Sequence, residues 1–269
     1  MEYIEVVNSQ NVILNGLYSG KNNNRCIIYF SGLGADFSSC LPHKFFNCDD
    51  FDFLFASTQG SSLMKELLLS DGSIISGGAA YESYNNWFSD LVCWFDFLDV
   101  YDEIFVVAHS LGCNKVIDYM NKVDNSKVKK VFLLAPQDFY YLVNIDKHDG
   151  MLEEALINKK NGNNNLLSKV FLGFCYLSTN TFLDFYYNSN INNIPYISSN
   201  DFICVKSIKC QIIIYIGSND KKISLSEYLL KLVSECRNVS YIIIDGADHN
   251  FRFKEDLVVD MVLDEIKKN

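Results

Sequence analysis

Short apolar runs alternate with longer amphipathic ones along most of the chain. That rhythm predicts strands and helices taking turns, hence a mostly parallel sheet covered by helices. Residues 12–18, 26–30, 51–56, 104–108, 128–134, 212–216 and 241–244 read as strands. The run 104–108 is apolar at every position, as a strand covered on both faces requires. Asn15-Gly16 reads as a bend within the first of them. Helical spacing marks 84–98, where Trp87, Leu91, Trp94 and Leu98 fall near one face, and also 111–120, 151–157, 166–171, 224–236 and 254–267. The Ser- and Gly-rich stretch 59–80 predicts a long loop. Strand rhythm stops from Pro136 to about Lys206, with a polar tract at 158–165. The expectation is one α/β domain over residues 1–269, its central sheet flanked by helices, with a helical cap inserted at about 137–206.

A chain of 269 residues, 49% hydrophobic, can bury a sizeable core as a single large unit. The formal charge of −10 changes the list of partners. Without a basic stripe, an acidic surface repels phosphate backbones and anionic polymers, which argues against nucleic acid. No window is apolar enough to span a bilayer, and Met1 to Glu5 lacks the features of a signal peptide. A cytoplasmic protein is expected on that basis. The nine cysteines form no CxxC pair and HExxH is absent, so reduced, mostly buried thiols are expected and no metal.

Candidate chemistry begins at Ala108-His109-Ser110-Leu111-Gly112. A strand runs directly into Ser110 and a helix leaves directly after it, which forces a sharp turn with an exposed hydroxyl. Small residues at 108 and 112 allow neighbouring backbone to approach; Ala108 stands where Gly is commoner. A serine nucleophile needs a base and a group to orient that base. Asp220 ends the turn Gly217-Ser218-Asn219-Asp220 after one strand, and His249 lies in the loop Asp245 to Phe251 after the last. Asp245 and Asp248 compete for the acid's role but sit close to His249 and suit turns. His109 reads as a packing residue beside the serine, Cys113 as core, and His43 and His148 as surface residues or parts of the cap. The loop Ser31-Gly32-Leu33-Gly34 follows an early strand; its Gly32-x-Gly34 is no dinucleotide fingerprint, because the third glycine position is Phe37.

Through 30–34, 108–112, 217–220 and 246–249 the chain resembles the α/β-hydrolase superfamily, over nearly its whole length. It is most similar to small intracellular hydrolases whose last motif reads Gly-Ala-Asp-His followed by an aromatic. Residues 77–82 and Leu134-Ala135-Pro136-Gln137-Asp138 also look like that group. The order Ser, Asp, His is the one this fold uses. The resemblance implies Ser110 as nucleophile, His249 as base and Asp220 as its orienting acid. The backbone amides of Leu33 and Leu111 would form an oxyanion hole, with Ser31 where many relatives carry His. It further implies cleavage of a small-molecule carboxylic ester or thioester without metal or cofactor. Thioester hydrolysis, acyl transfer and a non-catalytic binding role stay open, as does the oligomeric state. The aromatics Phe171, Phe174, Tyr176, Phe182, Phe185, Tyr186 and Tyr187 suggest either an apolar acyl pocket or simple packing of the cap.

Overall fold

A computed structural model describes residues 1–145, 150–191, 193–195, 202–220 and 226–268. Eight strands form the main sheet: β1 (Glu2–Val7), β2 (Ile13–Ser19), β3 (Arg25–Phe30), β4 (Asp52–Ala56), β7 (Glu103–His109), β8 (Val128–Leu134), β9 (Gln211–Gly217) and β10 (Val239–Ile244). Their order is β1-β2-β4-β3-β7-β8-β9-β10. β2 runs antiparallel to β1 and β4, and every later pairing is parallel. The central strands are buried almost throughout, whereas edge strand β1 alternates exposed and half-buried positions. That contrast explains why β1 carried too weak a signal to be read from sequence.

Helices α1 (Cys40–Phe45), α2 (Tyr84–Phe97), α3 (Leu111–Lys122), α7 (Ser226–Glu235) and α8 (Glu255–Lys267) accompany the sheet. α2 starts at Ser83, whose side chain accepts the amide of Asn85, one of the donors a helix start leaves unpaired. Its apolar face presses Trp87, Leu91 and Trp94 inward to complete burial. Full burial of such a side chain stabilises by roughly 1.5–3 kcal/mol. Gly16 is not a bend. It pairs within β2, and a β-carbon there would lie 2.7 Å from the Trp94 ring, whose indole N–H donates to the Ser57 carbonyl at 2.7 Å.

Two more expectations are corrected. Inside 59–80 lies a two-stranded hairpin, β5 (Lys65–Leu68) and β6 (Ile74–Gly77), turning at Asp71-Gly72 with Gly72 at φ 86°. Asp-Gly is a strong hairpin signal that the Ser and Gly content concealed. Residues 166–171 are not helical. Leu166 and Phe171 instead make isolated bridges to Ser178 and Cys175, around a turn where Leu172 and Gly173 take positive φ.

Among the described residues between β8 and β9 the chain builds α4 (Met151–Lys160), α5 (Thr179–Asn190) and α6 (Ile203–Lys206) instead of strands. α4 and α5 join a second apolar cluster, separate from the sheet's, that includes Phe139, Met151, Phe171, Phe182 and Phe185 and reaches Trp87 and Leu111. Among the described residues, no helix is long and apolar enough to cross a membrane. None of the eight described cysteines forms a disulfide; four are buried and four half-buried.

Candidate active site

The sequence folds into a strained turn at Ser110. This residue caps α3 at φ 54° and ψ −122°, a left-handed conformation that costs a non-glycine residue of order 1–3 kcal/mol. Close packing holds it there. A β-carbon on Gly112 would lie 2.6 Å and 2.7 Å from the Phe30 and Ser31 carbonyls, and one on Gly32 would lie 2.7 Å from the Ser110 β-carbon. The serine amide donates to the Leu134 carbonyl at 2.9 Å, which ties the turn to β8.

Three residues from three strand ends meet in one hydrogen-bonded relay. His249 Nε2 lies 3.0 Å from Ser110 Oγ, and His249 Nδ1 lies 2.8 Å from Asp220 Oδ2. A carboxylate only accepts, so Nδ1 carries the proton and Nε2 accepts from the serine hydroxyl. The Asp220 side chain is fully buried, whereas that of His249 is half-buried and lines the cleft. Gly217 permits the approach of the two loops, since a β-carbon there would meet the Ala247 carbonyl at 2.3 Å.

His109 packs against this relay without entering it. Its Nε2 donates to the His249 backbone carbonyl at 2.9 Å, and the two rings stand 5.2 Å apart. Burial, then the neighbouring His249, pushes its pKa down to about 4. It therefore stays neutral and fixes the loop that carries His249. Asp248 accepts the amides of Asn250 and Arg252, and Asp245 accepts from Ser218, so both acids shape the turn. His43 is exposed in the last turn of α1, and His148 lies outside the described residues. Cys113 is fully buried, and burial raises its thiol well above its usual range.

A cleft of about 410 Å³ opens over Ser110 and His249. Leu33 and Leu111 both line it. The amide of Leu111 opens α3, where helix N–H groups point outward and favour negative charge. Ser31, where a His was the common alternative, donates its hydroxyl to the Ala35 carbonyl at 3.0 Å and braces the Leu33 loop. The apolar wall comes from Leu63, Phe139, Leu142, Leu172 and Phe174. Of the seven aromatics flagged in the sequence, only Phe174 lines this cleft. Phe171, Phe182 and Phe185 are core, Tyr186 packs against that core, and Tyr176 and Tyr187 are exposed. Gln137 went unnoticed as a site residue, although it follows β8 at the edge where the other site residues gather. Among the described residues, no cluster of His, Cys, Asp or Glu could hold a metal ion.

Known proteins place this geometry in context. Residues 80–161 match the family model described as serine hydrolase. No curated protein sequence matches the chain. Solved structures similar to it include Est1E from Butyrivibrio proteoclasticus with ferulic acid bound, at TM-score 0.65 and 14% identity over 98% of each chain. A putative hydrolase from Agrobacterium vitis S4 aligns at TM-score 0.67 and 14% identity over 97% of this chain and 98% of its own. Mouse alpha/beta hydrolase domain-containing protein 10 aligns at 0.66 and 14%, over 100% and 99%. The chain therefore has the α/β-hydrolase fold, and over residues 80–161 it is similar to the serine hydrolase family.

Proposed function

We propose that the protein is a serine hydrolase that cleaves a small carboxylic ester through an acyl-enzyme. The observation that carries this reading is the unbroken relay from Asp220 through His249 to Ser110, beneath an open cleft. His249 Nε2 takes the hydroxyl proton as Ser110 Oγ attacks the acyl carbon. The amides of Leu33 and Leu111 donate to the oxyanion; one such donor is worth about 10²–10³ in turnover. Asp220 keeps the imidazole in the correct tautomer and offsets its transient charge. The intermediate collapses as His249 passes its proton to the leaving alkoxide. Water then attacks the acyl-enzyme by the same path in reverse roles. No step calls for a metal or an organic cofactor.

The helical segment at about 137–206 acts as a cap, with Phe139, Leu142, Leu172 and Phe174 facing the acyl group. A panel of p-nitrophenyl esters and matching thioesters, from acetyl to decanoyl and including an aryl acid, tests both parts. Turnover that requires Ser110, His249 and Asp220 and rises with apolar acyl size supports the reading. A flat profile removes the apolar pocket, and thioester turnover exceeding ester turnover moves the substrate class.

A further inference from the structure

Beside the cleft lies a second hollow of about 260 Å³, walled by the loop after β3, the start of α1 and the turn that leads into α8. Ala35, His109, Asn250 and Arg252 line both spaces, and two of them follow His249 within three positions. The hollow therefore adjoins the loop that carries the base. Several of its hydrogen-bonding groups have no partner among the described residues. Tyr29, 2% exposed and packed against Phe45 and Phe55, bonds nothing through its hydroxyl. That hydroxyl is not sealed in the core, so the little surface it has opens into the hollow that Tyr29 lines. Leaving a nearly buried hydroxyl unbonded is costly, so an orphan of this kind marks a place for a ligand's polar group. Ser39 leaves its hydroxyl unbonded at the start of α1. His109 donates through Nε2 to the His249 carbonyl, so its Nδ1 stays a bare acceptor. Arg252 and Glu255 add one charge of each sign, Arg252 being loosely held by Asp248 at 3.5 Å.

Resting on the ester-hydrolase reading above, we propose that this hollow holds a polyhydroxylated leaving group, so that the substrate is an acyl ester of a neutral polyol. Each hydroxyl of a polyol donates and accepts at once, which is what the unbonded set requires. Tyr29 and Ser39 can do either, His109 Nδ1 and Glu255 accept, and Arg252 donates. An anionic alcohol would face Glu255 and a cationic one Arg252. A plain alkyl group would cover the Tyr29 hydroxyl without bonding it. The proton fixes which half of the ester lies here. As Ser110 Oγ bonds to the acyl carbon, the bond to the alcohol oxygen breaks, and His249 Nε2 delivers to that oxygen the proton it took from the serine. The departing oxygen therefore lies against His249, and the rest of the alcohol runs past Asn250 and Arg252 towards Tyr29. The acyl group is left the cap side, where Phe139, Leu142, Leu172 and Phe174 stand.

The test compares two butyrate esters that differ only in the alcohol, glycerol 1-monobutyrate and n-propyl butyrate. Both give the same butyryl-enzyme, so deacylation is common to them and the ratio of their kcat/KM values reports the alcohol site alone. Wild type should favour the glycerol ester by about tenfold or more, since the propyl ester leaves the hollow's polar groups unpaired. Tyr29→Phe removes the hydroxyl and keeps the ring. It should lower that ratio about fivefold, what one ordinary hydrogen bond supplies. Ser39→Ala should lower it in the same direction. The ratio is taken within each protein, so a general loss of activity cancels. A wild-type ratio near one, or a ratio that survives both substitutions, would overturn the proposal and leave the ester-hydrolase reading standing. Faster cleavage of the anionic 3-(butyryloxy)propanoate would also overturn it, by giving the hollow to Arg252 alone. Cleavage of none of these esters, with no butyryl adduct on Ser110 by intact mass, would overturn the ester-hydrolase reading itself, and this one with it.

Discussion

At Ser110 a strand end, a strained backbone and a helix start meet within five positions, and the turn is closed by glycines that leave no room for a β-carbon. Such a local pattern is legible in the sequence, whereas the contact of Gln137 with His249 depends on a left-handed Ala135 that no propensity favours. The glycines carry a residue-scale prediction. Gly32→Ala would press a methyl to 2.7 Å from the Ser110 β-carbon and 3.2 Å from its Oγ. If Ser110 is the nucleophile proposed above, displacing it by a fraction of an ångström should lower kcat by about 10²-fold with an unfolding transition close to wild type. Near-normal kcat, measured alongside thermal unfolding, would show that the elbow has slack. His109 carries a second prediction. Its folded pKa, about 4, lies below the ordinary 6.5, so the unfolded chain binds the extra proton first. Its contribution to stability is full above pH 6.5 and is lost as pH falls towards 4. His109→Gln keeps a donor but does not titrate. Urea unfolding should therefore show wild type losing about 1–3 kcal/mol relative to the variant across that window, the lower end reflecting an imidazole partly open to the cleft. Parallel curves would show that His109 binds its proton equally well in the folded and unfolded chain.

At the scale of elements, α3 is anchored by an ion pair that the mechanism does not use. Lys115 Nζ meets Glu82 at 2.5 Å and Thr58 Oγ1 at 2.8 Å, with both charged side chains almost fully buried. Glu82 also accepts the Trp87 indole N–H at 3.2 Å, so this cluster joins α2, α3 and the segment that follows β4. Buried pairs are weak sources of net stability, but stranding one partner is expensive. Lys115→Met should cost about 3–5 kcal/mol in urea unfolding, and adding Glu82→Gln should recover a large part of it. Equal destabilisation in single and double variants would mean that packing alone matters here. The sequence could not reveal this pairing, because Glu82 and Lys115 lie 33 positions apart and only the tertiary fold brings them together. The β5–β6 hairpin failed for a different reason. Its turn residues were visible, but its strands are short and their apolar positions partly exposed, so alternation is faint.

Over the whole molecule, the parallel strands were readable because burial on both faces demands continuous apolar runs, and β3, β7 and β8 supply them. Segment 137–206 was harder. Its helices are held by a cluster spread from Phe139 to Ile194, with no periodicity long enough to show it. Aromatics there mostly build that cluster; the cleft takes Phe139 from it and adds the exposed Phe174. The proposed activity depends on one property of the molecule, that the relay activates Ser110. The measurement that tests it most directly is intact-mass labelling with a fluorophosphonate, comparing wild type with Ser110→Ala. The account predicts a single adduct on the folded wild type and none on the variant. An adduct that persists in Ser110→Ala, or a folded wild type that takes none, would contradict it.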